Sequence, residues 1–264
     1  MSTFWRSIWA YRGFILGSVK REFQSKYRNS LLGAAWTIIN PLSMIIVYTV
    51  IFSQVMNAKL PGLNATYGYS IYLCAGVITW GLSAEITTRA IGMFLENANM
   101  LKKLSFPRIT LPIIVVLNAG LNFGIIFGLF LLFLAITNSL PGWVTLAIIP
   151  VLLIQVVLST GLGILLGVLN VFFRDIGQFF GIFLQFWFWL TPIVYPVSIL
   201  PDNVKQWMVF NPMYPLITSY QQILVQAQWP DWESLIMPLV TGFVLSYLGF
   251  KTFKRHAGEM VDEL

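Results

Sequence analysis

The stretch Ile109–Phe173, ITLPIIVVLNAGLNFGIIFGLFLLFLAITNSLPGWVTLAIIPVLLIQVVLSTGLGILLGVLNVFF, runs for 65 residues without one charged side chain. As a single helix it would be roughly 97 Å long at 1.5 Å per residue, about three times the ~30 Å hydrocarbon core of a bilayer. It must therefore double back. Thr137-Asn138-Ser139-Leu140-Pro141-Gly142 is the turn signal inside it, polar and then Pro-Gly. The expectation is two membrane spans, at about 109–136 and 144–172.

Working outward, the same pattern gives four more spans, at about 31–52 (interrupted by Asn40-Pro41), 69–93, 176–194 and 235–253. The fold class is then an all-α polytopic membrane protein with six transmembrane helices. Composition agrees: 57% of the residues are hydrophobic and only 10% charged, too few charges to clothe a water-facing surface. Six spans put both termini on one side. Of the 16 Lys and Arg residues, 14 then fall on the side of the termini, and Lys59 and Lys205 alone on the other. The positive-inside rule makes the termini cytoplasmic. The first thirty residues lack the uncharged core of a signal peptide.

The net charge of +6 is spread over the ends of apolar runs. It is not gathered in one patch, which argues against nucleic acid as a partner. Cys74 and His256 are the sole cysteine and histidine, so neither a disulfide framework nor a zinc site is expected; no metal, catalytic or cofactor residue is assigned.

Residues 1–30 are too charged to span. Leu16, Val19, Phe23 and Tyr27 recur at helical spacing while Lys20, Arg21 and Lys26 fall off that stripe, the pattern of an amphipathic helix lying at the membrane interface. Lys20, Lys26 and Arg28 are candidates for contact with lipid or substrate head groups. Between the second and third spans, about 96–105, Glu96, Asn97, Met100, Leu101, Lys102 and Lys103 read as a short cytoplasmic helix able to feel a partner's movement; the alternative is a plain basic loop. Residues 254–264 form a cytoplasmic tail.

Glu85 and Arg89 are four apart on one helix and can pair. Charges at such depth face protein or a cavity. Phe172, Phe179, Phe183 and Phe186 follow helical spacing with Trp187 beside them. They are candidates, with Trp36 and Tyr48 of the first span, for a channel wall; the competing reading is packing. The segment of about 196–230 holds Pro196, Pro201, Pro212, Pro215 and Pro230. It suits short helices dipping back into the outer leaflet, where irregular backbone must be buried or wet.

Several stretches together resemble a family. Tyr27-Arg28-Asn29-Ser30-Leu31-Leu32-Gly33-Ala34-Ala35-Trp36 with Asn40-Pro41 resembles the start of the first span in membrane subunits of type-2 ABC transporters that export polysaccharides. Phe106-Pro107-Arg108 with Leu111-Pro112 resembles the start of their third span, and Phe172-Phe173-Arg174-Asp175-Ile176 their fourth-to-fifth turn. Thr191-Pro192-Ile193-Val194-Tyr195-Pro196 and Asn211-Pro212-Met213-Tyr214-Pro215 resemble their export-side segment. The resemblance implies a homodimer with two ATP-binding-cassette ATPase subunits, an interface helix, a coupling helix and re-entrant helices. It implies a lipid-linked O-antigen, capsule or teichoic acid chain as substrate, O-antigen first, in the bacterial inner membrane. ATP and Mg would be bound by the partner subunit: no G-x-x-x-x-G-K-[ST] occurs here, so no enzyme activity is expected of this chain. Two other readings stay open on the residues alone: a type-2 ABC permease for a drug or other small lipophile, and a motorless channel or scaffold.

Overall fold

The computed structural model describes residues 9–26, 32–55, 67–103 and 110–263. Among them there are helices and turns but no strand. In chain order the helices are α1 (Arg12–Lys26), α2 (Trp36–Thr49, continued as a π-turn over Val50–Val55), α3 (Gly68–Glu96), α4 (Ala98–Lys103), α5 (Thr110–Ile136), α6 (Ile148–Phe172), α7 (Asp175–Leu190), α8 (Asp202–Met208), α9 (Met213–Gln221, continued as a π-turn over Gln222–Gln226), α10 (Ile236–His256) and α11 (Glu259–Glu263).

Four of these are long and apolar enough to cross a membrane: α3, α5, α6 with the 3₁₀ turn Gly142–Ala147 that leads into it, and α10. The uncharged 65-residue run does double back at the expected place. Asn138 and Gly142 take the left-handed conformation there, at φ 53° and 67°, which Asn and Gly adopt at least cost. The first and fifth expected spans are shorter than the others. Trp36–Phe52 is a shorter apolar helix. Helix α7 has 16 residues, about 24 Å, and stops at Leu190 because Thr191-Pro192 turns the chain where a span to residue 194 was expected.

Helix α3 is the centre, with most of its apolar length buried. Helix α6 lies against it so closely that side chains are excluded. A Cβ on Gly163 would come 2.5 Å from Cβ of Ala90, and one on Gly167 would come 2.5 Å from the Ala90 carbonyl oxygen. The opposite face of α6 meets α10 in the same way, since a Cβ on Gly161 would fall 2.6 Å from the Ser246 nitrogen and one on Gly242 3.0 Å from Cα of Leu158. In lipid, where no hydrophobic force draws helices together, such small-residue approach is what packs them.

Polar side chains tie the same helices inside. Gln155 of α6 donates to the Thr79 carbonyl (2.6 Å) and to Oγ of Ser83 (2.8 Å). Asn170, at the end of α6, donates to the Ile91 carbonyl at 3.1 Å and accepts from the Gly177 amide at 2.9 Å, so one amide orients the start of α7 against α3.

The ends of the bundle differ. At one end Leu101 of α4 and Met260 of α11 share a cluster with Phe94 and Val171, and the last turn of α10 carries Lys254 and Arg255. At the other, the 3₁₀ turn before α6 meets the π-turn after α9. Trp143, Trp207, Trp229 and Trp232 are exposed around the connections at this end, as interfacial tryptophans are. On α8 a hydrogen bond from Lys205 to Asp202 (2.8 Å) holds that carboxyl below its usual range.

Candidate functional site

Helix α7 offers an aromatic face to the outside of the single chain. Phe179 is 70% exposed, Phe186 66% and Phe183 41%. Their spacing of four and three residues puts them on one face. Phe172 is not on it. The helical spacing was carried through the turn at Phe173-Arg174, but the chain changes helix there: Phe172 is the last residue of α6, half-buried, with its ring 5.7 Å from that of His256. Trp187 sits at the inner margin, its indole donating to Oδ1 of Asn211 at 2.8 Å and its ring edge-on to Trp80 at 5.5 Å. An apolar groove of about 630 Å³ runs along this face, bounded by Leu162 and Leu166 of α6, Phe179 and Phe183 of α7, and Trp207 of α8. Of the first-span candidates, Trp36 is exposed. Tyr48 is half-buried against Phe52 at 6.3 Å.

The end of α7 is held by side chains from three directions. The Tyr69 hydroxyl donates to the Val194 carbonyl (2.6 Å), and the Tyr72 hydroxyl to those of Pro192 (3.1 Å) and Tyr195 (2.9 Å). Gln221 of α9 adds a bond to Pro192 (3.2 Å). Asn211 donates to Oγ1 of Thr191 (2.9 Å) and accepts from the Met213 amide (3.0 Å), capping α9. The expected short helices of the 196–230 segment are α8 and α9. The backbone freed by the break is paired, as non-helical backbone at membrane depth must be.

At the opposite end a helix, α1, stands where the amphipathic segment was expected, but its buried face differs from the expected stripe. Ile15 and Val19 are buried against Ile114 of α5, whereas Leu16 is 63% exposed. Lys20 is exposed. The Lys26 side chain and Arg28 lie outside the described residues. Arg89 pairs with Glu85, as its spacing predicted, at 3.4 Å. It also pairs with Glu22 of α1, which the sequence reading missed. Asn118 of α5 donates to the second Glu22 oxygen, and Asn122 to Glu85 at 2.8 Å. A cavity of about 320 Å³ adjoins these groups.

The short helix between the second and third spans is α4. Leu101 is buried beneath it and Asn97 caps the end of α3 through the Met93 carbonyl at 2.8 Å. Glu96, Asn99 and Lys102 are left exposed, with Met100 half-buried; the Lys103 side chain lies outside the described residues.

A helical membrane bundle with a short helix between its second and third spans, an N-terminal helix packed on the third and a broken hairpin at the other end narrows the choice, and comparison with known proteins decides it. Residues 15–225 match the ABC-2 type transporter family. The chain belongs to that family. Relatives of this ABC-2 protein include an O-antigen export system permease protein of Myxococcus xanthus, 29% identical over 98% of both chains. One from Klebsiella pneumoniae is 29% identical over 89% of this chain and 88% of that one. A polysialic acid transport protein of Escherichia coli is 19% identical over 91% and 92%. The ABC-2 match opens on α1, at the buried Ile15, and closes in the π-turn after α9. It therefore takes in the aromatic face, the hairpin, α4 and the Glu22 cluster together. Helix α10 lies beyond it.

Proposed function

We propose that this chain is the membrane-spanning subunit of an ATP-driven exporter that carries a lipid-linked polysaccharide of the O-antigen class across the bacterial inner membrane. The observation that carries this reading is the end-to-end match to an O-antigen permease, 98% of each chain. The exposed aromatic face of α7 supports it, since flat apolar rings stack on sugar rings without fixing them. Two copies with their α7 faces turned to one another would line a path with phenylalanine. The exposed apolar face of α2, with Trp36, Leu42 and Ile46, is surface that the second copy or lipid would cover.

In this reading α2 and α7 complete six spans, and both termini are cytoplasmic. The energy comes from two ATP-binding-cassette subunits that bind ATP and Mg and press on α4. Lys20, Lys26 and Arg28 are the proposed contacts for lipid or substrate head groups. No step of the polymer's synthesis falls to this chain.

The test is co-expression with a cognate ATP-binding-cassette subunit, followed by purification and deletion. A stoichiometric complex and loss of surface polymer in the deletion strain are expected. A chain that purifies alone and works without an ATPase overturns the reading.

A further inference from the structure

Glu22 stands where three helices cross. On α1 it follows Ile15 and Val19 by seven and three residues, so it continues their face. Those two pack on Ile114 of α5. One turn on, the Glu22 carboxylate accepts from Arg89 of α3 through one oxygen and from Asn118 of α5 through the other. Helices α3 and α5 are the two between which the chain passes through α4. They are bridged a second time, deeper, by Asn122 and Glu85. Among the described residues, Glu22–Arg89 is the one ion pair between residues distant in sequence.

The position is costly. Arg89 lies seven residues before the end of α3, about 10 Å inside, where a charge persists only if it is paired or reached by water. Both conditions hold here. The cavity beside the cluster shares Glu22, Ser25 and Arg89 with a second one of about 550 Å³. That second cavity extends to Glu96, Asn97 and Met100 at the approach to α4. A helix that only floated at the interface would be held by Ile15 and Val19; the carboxylate adds direction, fixing α1 to both neighbours at once.

We propose that Glu22 is a positioning residue for transport: its carboxylate clamps α1 to the two helices that flank α4, so that a displacement of α4 is passed to α1. This rests on the exporter reading above.

The test uses the full chain with its ATPase subunits in liposomes, and reads polymer exported per ATP hydrolysed. Glu22→Ala is expected to keep the complex and its ATPase rate but to lower that ratio about tenfold. Glu22→Cys with Asn118→Cys should show the same loss, and a short bifunctional thiol reagent joining the two should restore the ratio; Cys74 is buried and does not compete. An unchanged ratio in Glu22→Ala overturns the proposal. So does a failure of the reagent to restore it, or a fall in assembled complex with the ratio intact. A wild-type complex that exports no polymer overturns the exporter reading itself, and the clamp with it.

Discussion

The Tyr220 hydroxyl donates to Oε1 of Gln155 at 2.7 Å, deep in the bundle, while the amide nitrogen of the same Gln155 serves Thr79 and Ser83. One side chain on α6 thus joins α3 and α9. Gln155→Ala strands the buried Tyr220 phenol, while Ser83 keeps its bond to Ser159. It should lower unfolding stability by about 1–3 kcal/mol, and Tyr220→Phe by roughly half a kcal/mol to one and a half. Thermal or denaturant unfolding of the purified protein in detergent reads both.

Gly163 and Gly167 face Ala90 with no room for a methyl group. Gly163→Ala or Gly167→Ala should cost about 1–3 kcal/mol through overpacking. Gly120 and Gly128 on α5 have open space around them, so Gly120→Ala should leave folded yield unchanged. Parallel expression and size-exclusion profiles compare them.

Phe179, Phe183 and Phe186 are exposed in the single chain, so replacing all three with Ala should leave its folding intact. Export should slow, or the resting complex should leak ions. Measurement of surface polymer and of membrane conductance checks this; if both stay normal, the rings only pack against lipid or a second copy.

Orientation is read by cysteine labelling in cells. Asn138 and Asn99 are both exposed, at opposite ends of α5 and its approach. A Cys at Asn138 should react with an impermeant thiol reagent from the periplasm, and one at Asn99 should not. The left-handed backbone at Asn138 makes that substitution cost about 1–2 kcal/mol, small enough to retain the protein.

The helices were legible because charge is so scarce in this chain that the charged residues, Glu85 and Arg89 inside α3 apart, cluster near the ends of apolar runs. The turn after Ile136 was legible through Pro, Gly and Asn; the break at Thr191-Pro192 was not, and the fifth span was carried past it to residue 194. Contacts were legible only within one helix: spacing places Glu85 beside Arg89, and no local pattern could point from Arg89 to Glu22, 67 residues earlier. Phe172 shows the same limit from the other side, since a period continues on paper through a turn that rotates the next helix away. Gln155 was invisible for a third reason. A polar residue amid Leu, Ile and Val has no periodicity of its own, and its partners come from α3 and α9.

The glycine contacts on both faces of α6 have a mechanical consequence. Side chains between helices act as a compliant layer: they change rotamer and let one helix slide on the next. Between α3, α6 and α10 that layer is missing at the tightest points, and backbone bears on backbone. These three helices therefore behave as a stator. In the proposed exporter, strain delivered at α4 would not be absorbed there but left for the helices around it, α1, α2 and α7, to take up as movement.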